Sequence, residues 1–176
     1  MSVMAQFTVA AKRRRQPSAQ VGFTLVELLI VVALLALFAA IAVPSFTRLT
    51  RGNQTLAAAN EIYSVLQYAR SEALTRGRGV TVSVSSASTW AGEMTVKAGS
   101  ETLRHYAKGN FAEVSASSSL AALTFCPGFI TTTACSNGAL SSPPTITVGY
   151  SNDSSVTSRT IKVLASGQIS RPTISQ

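Results

Sequence analysis

The sequence predicts an α+β protein, one long N-terminal helix followed by a β-rich domain. Three observations predict it. Leu28 to Thr47 are 20 consecutive residues without a charge. Leu49, Leu56, Ala59, Ile62, Tyr63, Leu66, Ala69 and Ala73 then recur at three-, four- or seven-residue intervals, the spacing of one helix face. From Val80 the period falls to two, with Val80, Val82 and Val84 alternating with Thr81, Ser83 and Ser85.

The uncharged run makes about 30 Å of helix at about 1.5 Å per residue, enough to cross a bilayer. Lys12, Arg13, Arg14 and Arg15 precede it, and Arg48 and Arg51 follow it. The larger cluster belongs in the cytoplasm, which puts everything after Arg48 outside. The net charge of +8 could suggest a nucleic-acid or anionic partner, but the four leader charges account for half of it. Without residues 1–22 there are 11 basic side chains against 7 acidic ones, a balance that a solvated surface explains.

An ordinary cleaved signal peptide is the main alternative, because Ala40-Ile41-Ala42 has the form of a cleavage site. Three features oppose it. Glu27 stands at the mouth of the apolar run, Pro44 lies two places after the cut, and apolar sequence continues where a polar region should be. A carboxylate beside hydrocarbon costs several kcal/mol unless something pairs with it, so Glu27 requires a partner.

Gly22-Phe23-Thr24-Leu25-Val26-Glu27, followed by Leu28-Leu29, resembles the type IV prepilin signature. The resemblance implies that a prepilin peptidase cuts between Gly22 and Phe23 on the cytoplasmic face and methylates Phe23. It also supplies the partner of Glu27, the freed α-amino group of Phe23 in the same or a neighbouring subunit. A misregistered subunit would leave both charges unpaired, so the pair would set axial register. A tolerated acid at the interface is the blander reading of Glu27. Pro44 falls 21 residues after Phe23, where it removes a backbone hydrogen bond and bends or loosens the helix. Pilins resembling this chain carry a proline there and can melt locally on assembly, whereas many type II secretion pseudopilins lack it.

The amphipathic pattern runs to about Thr75, and Gly77 and Gly79 are positioned to end it. Candidate strands follow at 80–85, 93–97, 102–107, 111–115, 121–126, 145–150 and 159–165. Between them lie turn-forming stretches such as Ala98-Gly99-Ser100, Gly109-Asn110 and Ser141-Ser142-Pro143-Pro144. Tyr68-Ala69-Arg70-Ser71-Glu72-Ala73, the valine strand, and Trp90 with Gly92 resemble the GspH/FimT group of minor pilins and pseudopilins. That group implies the pilin fold, a long N-terminal transmembrane and amphipathic helix packed on a small antiparallel β domain. The expected organisation is a leader at 1–22, a transmembrane helix at 23–47, an amphipathic helix at 48–78 and a periplasmic or extracellular β domain at 79–176.

Catalysis needs convergent acid, base or nucleophile groups. The chain has one histidine, His105, and its acids are scattered, so no catalytic residue, metal site or cofactor is expected. His105 reads as a strand residue with a satisfied ring. Cys126 and Cys135 are expected to form a disulfide outside the cytoplasm, with two free buried thiols as the alternative.

Some FimT-type pilins resemble DNA receptors and carry a G-R-x-R-like element near the C-terminus. Here the matching stretch is Gly167-Gln168-Ile169-Ser170-Arg171, with one arginine replaced and the other displaced. Arg159, Lys162 and Arg171 are candidate DNA contacts, and a plain solvated surface is the favoured reading. The resemblance implies prepilin peptidase, other major and minor pilins and the inner-membrane pilus assembly platform as partners. It implies a single-pass inner-membrane protein, N-terminus in the cytoplasm, that moves into an extracellular pilus. A minor pilin supporting pilus assembly or initiation is the first functional expectation. A DNA-binding pilin for transformation and a type II secretion pseudopilin are the alternatives.

Overall fold

The computed structural model describes residues 22–107, 109, 113–142 and 144–175. The expected leader up to residue 21, the turn residue Asn110 and the start of the strand expected at 111–115 lie outside the described residues. The chain divides into two compact units between Ile41 and Ala42, and helix α1, Leu25–Arg76, contributes to both.

In the first unit α1 is exposed on every side, and after Glu27 it consists only of Leu, Ile, Val, Ala and Phe. In the second unit α1 continues unbroken through Pro44. The Thr47 hydroxyl donates to the Pro44 carbonyl at 2.9 Å, and the Thr50 hydroxyl to that of Phe46 at 3.0 Å. The buried face is Thr55, Ala58, Ala59, Ile62, Val65, Leu66, Ala69 and Ala73. The expected stripe is therefore right over its second half and rotated over its first, where Leu49 is 61% exposed. The small side chains at 55, 58, 59, 69 and 73 let the sheets approach the helix backbone closely, as interior packing requires.

Gly77 ends α1 with φ of 61°, the left-handed conformation that glycine adopts without penalty. Gly79 serves another purpose. A Cβ there would come within 2.9 Å of Cys135 Sγ and 3.3 Å of the Thr124 methyl, so the glycine permits a close approach rather than a cap.

Nine strands follow among the described residues: β1 Val80–Val84, β2 Met94–Ala98, β3 Glu101–Tyr106, β4 Val114–Ser117, β5 Ala122–Cys126, β6 Phe129–Thr131, β7 Thr145–Tyr150, β8 Arg159–Lys162 and β9 Thr173–Ile174. They form two sheets, β3-β2-β1-β5-β6 and β4-β7-β8-β9, with every neighbouring pair antiparallel. Of the strand expected at 111–115, Val114 and Ser115 lie in β4, which runs on to Ser117. The one expected at 159–165 stops at Lys162, with Val163 held by an isolated bridge to Ile169. β6 and β9, of three and two residues, are too short to display a period.

Alternation decides which side chains go inward. Val80, Val82, Met94, Val96, Leu123, Phe125 and Ile130 of the first sheet, and Val114, Ala116, Ile146, Val148 and Ile161 of the second, join the helix residues in one core. Trp90, between β1 and β2, is part of that core. Its side chain is 1% exposed, its indole N–H donates to the Leu120 carbonyl at 2.7 Å, and its backbone N–H to that of Ala116 at 3.0 Å. Cys126 at the end of β5 forms a disulfide with Cys135, which opens the short 3-10 turn Cys135–Asn137.

Candidate functional site

The N-terminal segment is the first candidate, and a local hydrogen bond starts it. Thr24 immediately precedes α1, and its hydroxyl oxygen accepts the backbone N–H of Glu27 at 3.2 Å. That is the N-cap half of a Thr-x-x-Glu capping box, and it places an acid in the first turn, where the helix dipole favours negative charge. The capping role of Thr24 is readable in the Thr-x-x-Glu spacing alone.

Gly22 and Phe23 precede the cap without regular structure, and Phe23 is 82% exposed. Glu27 is exposed, and no side-chain hydrogen bond or ion pair engages its carboxylate among the described residues. The apolar side chains from Leu28 to Phe46 are likewise exposed, including Leu29, Leu35, Phe38 and Ile41. Such a surface, long enough to cross a membrane, is stable only when lipid or protein covers it.

Four arginines are engaged by neighbouring side chains. Arg76 and Arg78, after the amphipathic stretch, are compensated. Arg76 pairs with Glu72 at 2.7 Å and Glu101 at 3.1 Å, and Arg78 pairs with Glu101 at 2.9 Å. Arg104 lies over the rings of Tyr68 and Tyr106, 4.6 and 5.6 Å from their centroids. Arg51 pairs with Asp153 at 2.6 Å and lies over the Tyr150 ring. The Ser155 hydroxyl and Arg51 together hold Asp153 below the usual carboxylate range.

The C-terminal candidates are not brought together as one patch. Arg159 pairs across the sheet with Val148 and shares the inward side of β8 with Ile161, whereas Lys162 is exposed on the other side. Arg171 is exposed between Ile169 and β9. Gly167 has φ of 78° and its N–H bonds the Leu164 carbonyl at 2.8 Å, so it makes the turn between Val163 and Ile169. His105 lies on β3 with Nε2 2.9 Å from Glu93 and Nδ1 3.4 Å from the Thr95 hydroxyl. No group of three or more metal-ligating side chains occurs among the described residues.

Comparison with known proteins assigns both parts of the chain. A family model described as "Type II transport protein GspH" matches residues 58–167, and one described as "Prokaryotic N-terminal methylation motif" matches residues 18–43. Two curated fimbrial proteins of Pseudomonas aeruginosa are each 42% identical over 65 residues, covering 37% of this chain and 42% of theirs. The matched region thus spans less than half the length of those relatives. Two crystal structures of the Pseudomonas aeruginosa type IV minor pilin FimU share the fold, with TM-scores of 0.57 and 0.52 at 21% and 20% identity. They cover 70% and 68% of this chain, and 94% and 91% of their own.

Proposed function

The chain belongs to the GspH family, and on that footing we propose that it is a minor pilin, built through its N-terminal helix into a type IV pilus. Prepilin peptidase cuts between Gly22 and Phe23 and methylates Phe23. The exposed helix anchors the subunit in the inner membrane, with its N-terminus cytoplasmic, until the assembly platform transfers it to other pilins. Glu27 then pairs with the α-amino group of Phe23 and sets register, and Pro44 loosens the helix locally as it packs. The part played is structural, in assembly or initiation of the filament.

One observation carries this reading. The methylation motif coincides with a helix whose apolar surface is wholly exposed and headed by a single acid, Glu27. Shearing filaments from the producing cell and identifying the chain by mass spectrometry tests it. The expected spectrum contains a mature chain starting at methylated Phe23. Filaments that lack the chain, together with unchanged pilus number after gene deletion, would remove the proposal.

The description of the family model favours a second reading, a pseudopilin of type II secretion. A deletion strain would then retain exoproteins in its periplasm while its pili stayed normal. DNA capture rests only on the exposed Lys162 and Arg171 and is the weaker alternative. Gel retardation at low salt, unaffected by changing both to alanine, would exclude those residues as its contacts.

A further inference from the structure

A pocket of about 390 Å³ opens between α1 at Arg48, Gly52 and Asn53 and the segment carrying Ser155, Thr157 and Arg159. Its charge is not balanced from within. Arg51, one helical turn from Arg48, is matched by Asp153, whereas neither Arg48 nor Arg159 has an ion-pair partner among the described residues. The Ser155 hydroxyl donates to Asp153 at 2.5 Å, which keeps that carboxylate occupied.

Arg159 supplies the second observation. Its Nε–H is buried and has no acceptor among the described residues, although buried donors are nearly always paired. Arg159 also lines the pocket, and a guanidinium fork whose charge is unmatched within the described residues is well suited to an anion held there.

Gly52 supplies the third. A glycine inside a helix costs stability relative to alanine, yet a Cβ here would meet nothing within 4 Å. Gly52 lines the pocket, so a side chain there would project from the helix where the pocket has open space.

Position identifies the anion. Arg48 is the first charged residue after the 20-residue uncharged run, so it lies at headgroup level when that run occupies hydrocarbon. Leu49 beside it is exposed and apolar. We propose that Arg48 and Arg159 bind the headgroup phosphate of an anionic phospholipid and hold the subunit at the membrane surface before assembly. This rests on the anchored reading given above.

The test uses the full-length chain in neutral detergent micelles, titrated separately with short-chain phosphatidylglycerol, short-chain phosphatidylcholine and inorganic phosphate. Amide chemical shifts of Gly52, Asn53 and Thr157 report occupancy. Saturable shifts are expected with phosphatidylglycerol, about tenfold tighter than with either other titrant. Arg159→Gln should weaken binding by about tenfold. Gly52→Ala should weaken it too while raising the thermal midpoint, a combination that a folding defect does not produce. Equal responses to the two lipids, or an unchanged affinity in Arg159→Gln, would overturn the proposal. Phosphate binding as tightly as lipid would assign a free anion instead. Shifts that appear only on adding a second pilin would assign a partner's carboxylate. The titration is indifferent to which filament the chain joins, so its failure and failure of the pilus assignment are separately visible.

Discussion

The two stretches of α1 differ in a direction opposite to their hydropathy. The most apolar 18-residue window of the helix has a mean hydropathy of 3.0 and is wholly unburied. The stretch from Thr55 to Ala73, rich in alanine and interrupted by Asn60, Glu61, Gln67 and Arg70, carries every buried helix residue. Burial within the fold is therefore allotted by shape as much as by hydrophobicity. Small side chains let two sheets close on the helix, whereas the Leu, Ile, Val and Phe of the first stretch are kept for a different environment. Each such side chain left in water forgoes about 1.5–3 kcal/mol, so the first stretch needs lipid or neighbouring helices around it.

The sharpest way to separate the stretches is Glu27→Gln. On the proposed pairing with Phe23 it would leave the α-amino group of the processed chain unpaired, which for a pair buried in a filament would cost about 3–5 kcal/mol. Incorporation into sheared filaments should fall by more than about a hundredfold, while the thermal midpoint of the purified chain stays at the wild-type value. A falling midpoint would mean that Glu27 belongs to the fold rather than to assembly.

Trp90→Ala should act in the opposite sense, through the closed core. It empties the largest side-chain volume in the core and orphans the Leu120 carbonyl, and about 3–5 kcal/mol of unfolding free energy should be lost in a denaturant titration. Replacing Cys126 and Cys135 together by alanine opens a short loop and should cost on the order of 2–3 kcal/mol, with the midpoint of the double variant no longer responding to reductant.

The smallest effect is expected from Asp153→Asn. The carboxyl is held below its ordinary value of 3.8, so its contribution is present above that pH and is lost as pH falls through the lowered value. Wild type and variant should differ at neutral pH and converge on acidification below 3.8. A difference that grows in acid would contradict the Arg51 and Ser155 contacts.

How far the sequence was legible depended on whether a residue's role was local. The Val-Thr-Val-Ser-Val alternation announces β1, and the helical spacing of Ala59, Ile62, Leu66, Ala69 and Ala73 announces the later part of the buried helix face, whereas Thr55 and Ala58 are buried in its first part without an apolar signal. Gly77 announces the helix end. Cys126 and Cys135 announce their bond once the segment is placed outside the cytoplasm. The capping role of Thr24 was equally local and lay in plain view beside Glu27. β6 and β9 were hidden because two or three residues cannot show a period, and they exist only because longer strands offer them an edge. Arg159 was hidden for another reason. Its sequence neighbourhood groups it with Lys162, and only the pairing with Val148 turns it inward, towards the segment bearing Arg48. Sites assembled from residues a hundred positions apart leave no trace in spacing.

The arrangement at Gly77 to Gly79 matters mechanically. α1 leads without a long linker into β1, and β1 is the middle strand of its sheet, laddered to β2 on one side and β5 on the other. A pull delivered along the helix is thus shared between two ladders instead of peeling an edge strand. The Cys126–Cys135 bridge, tucked against Gly79, rivets the end of β5 beside that entry point. In the filament proposed above, tension on the chain would meet its covalent reinforcement where the load first enters the sheet.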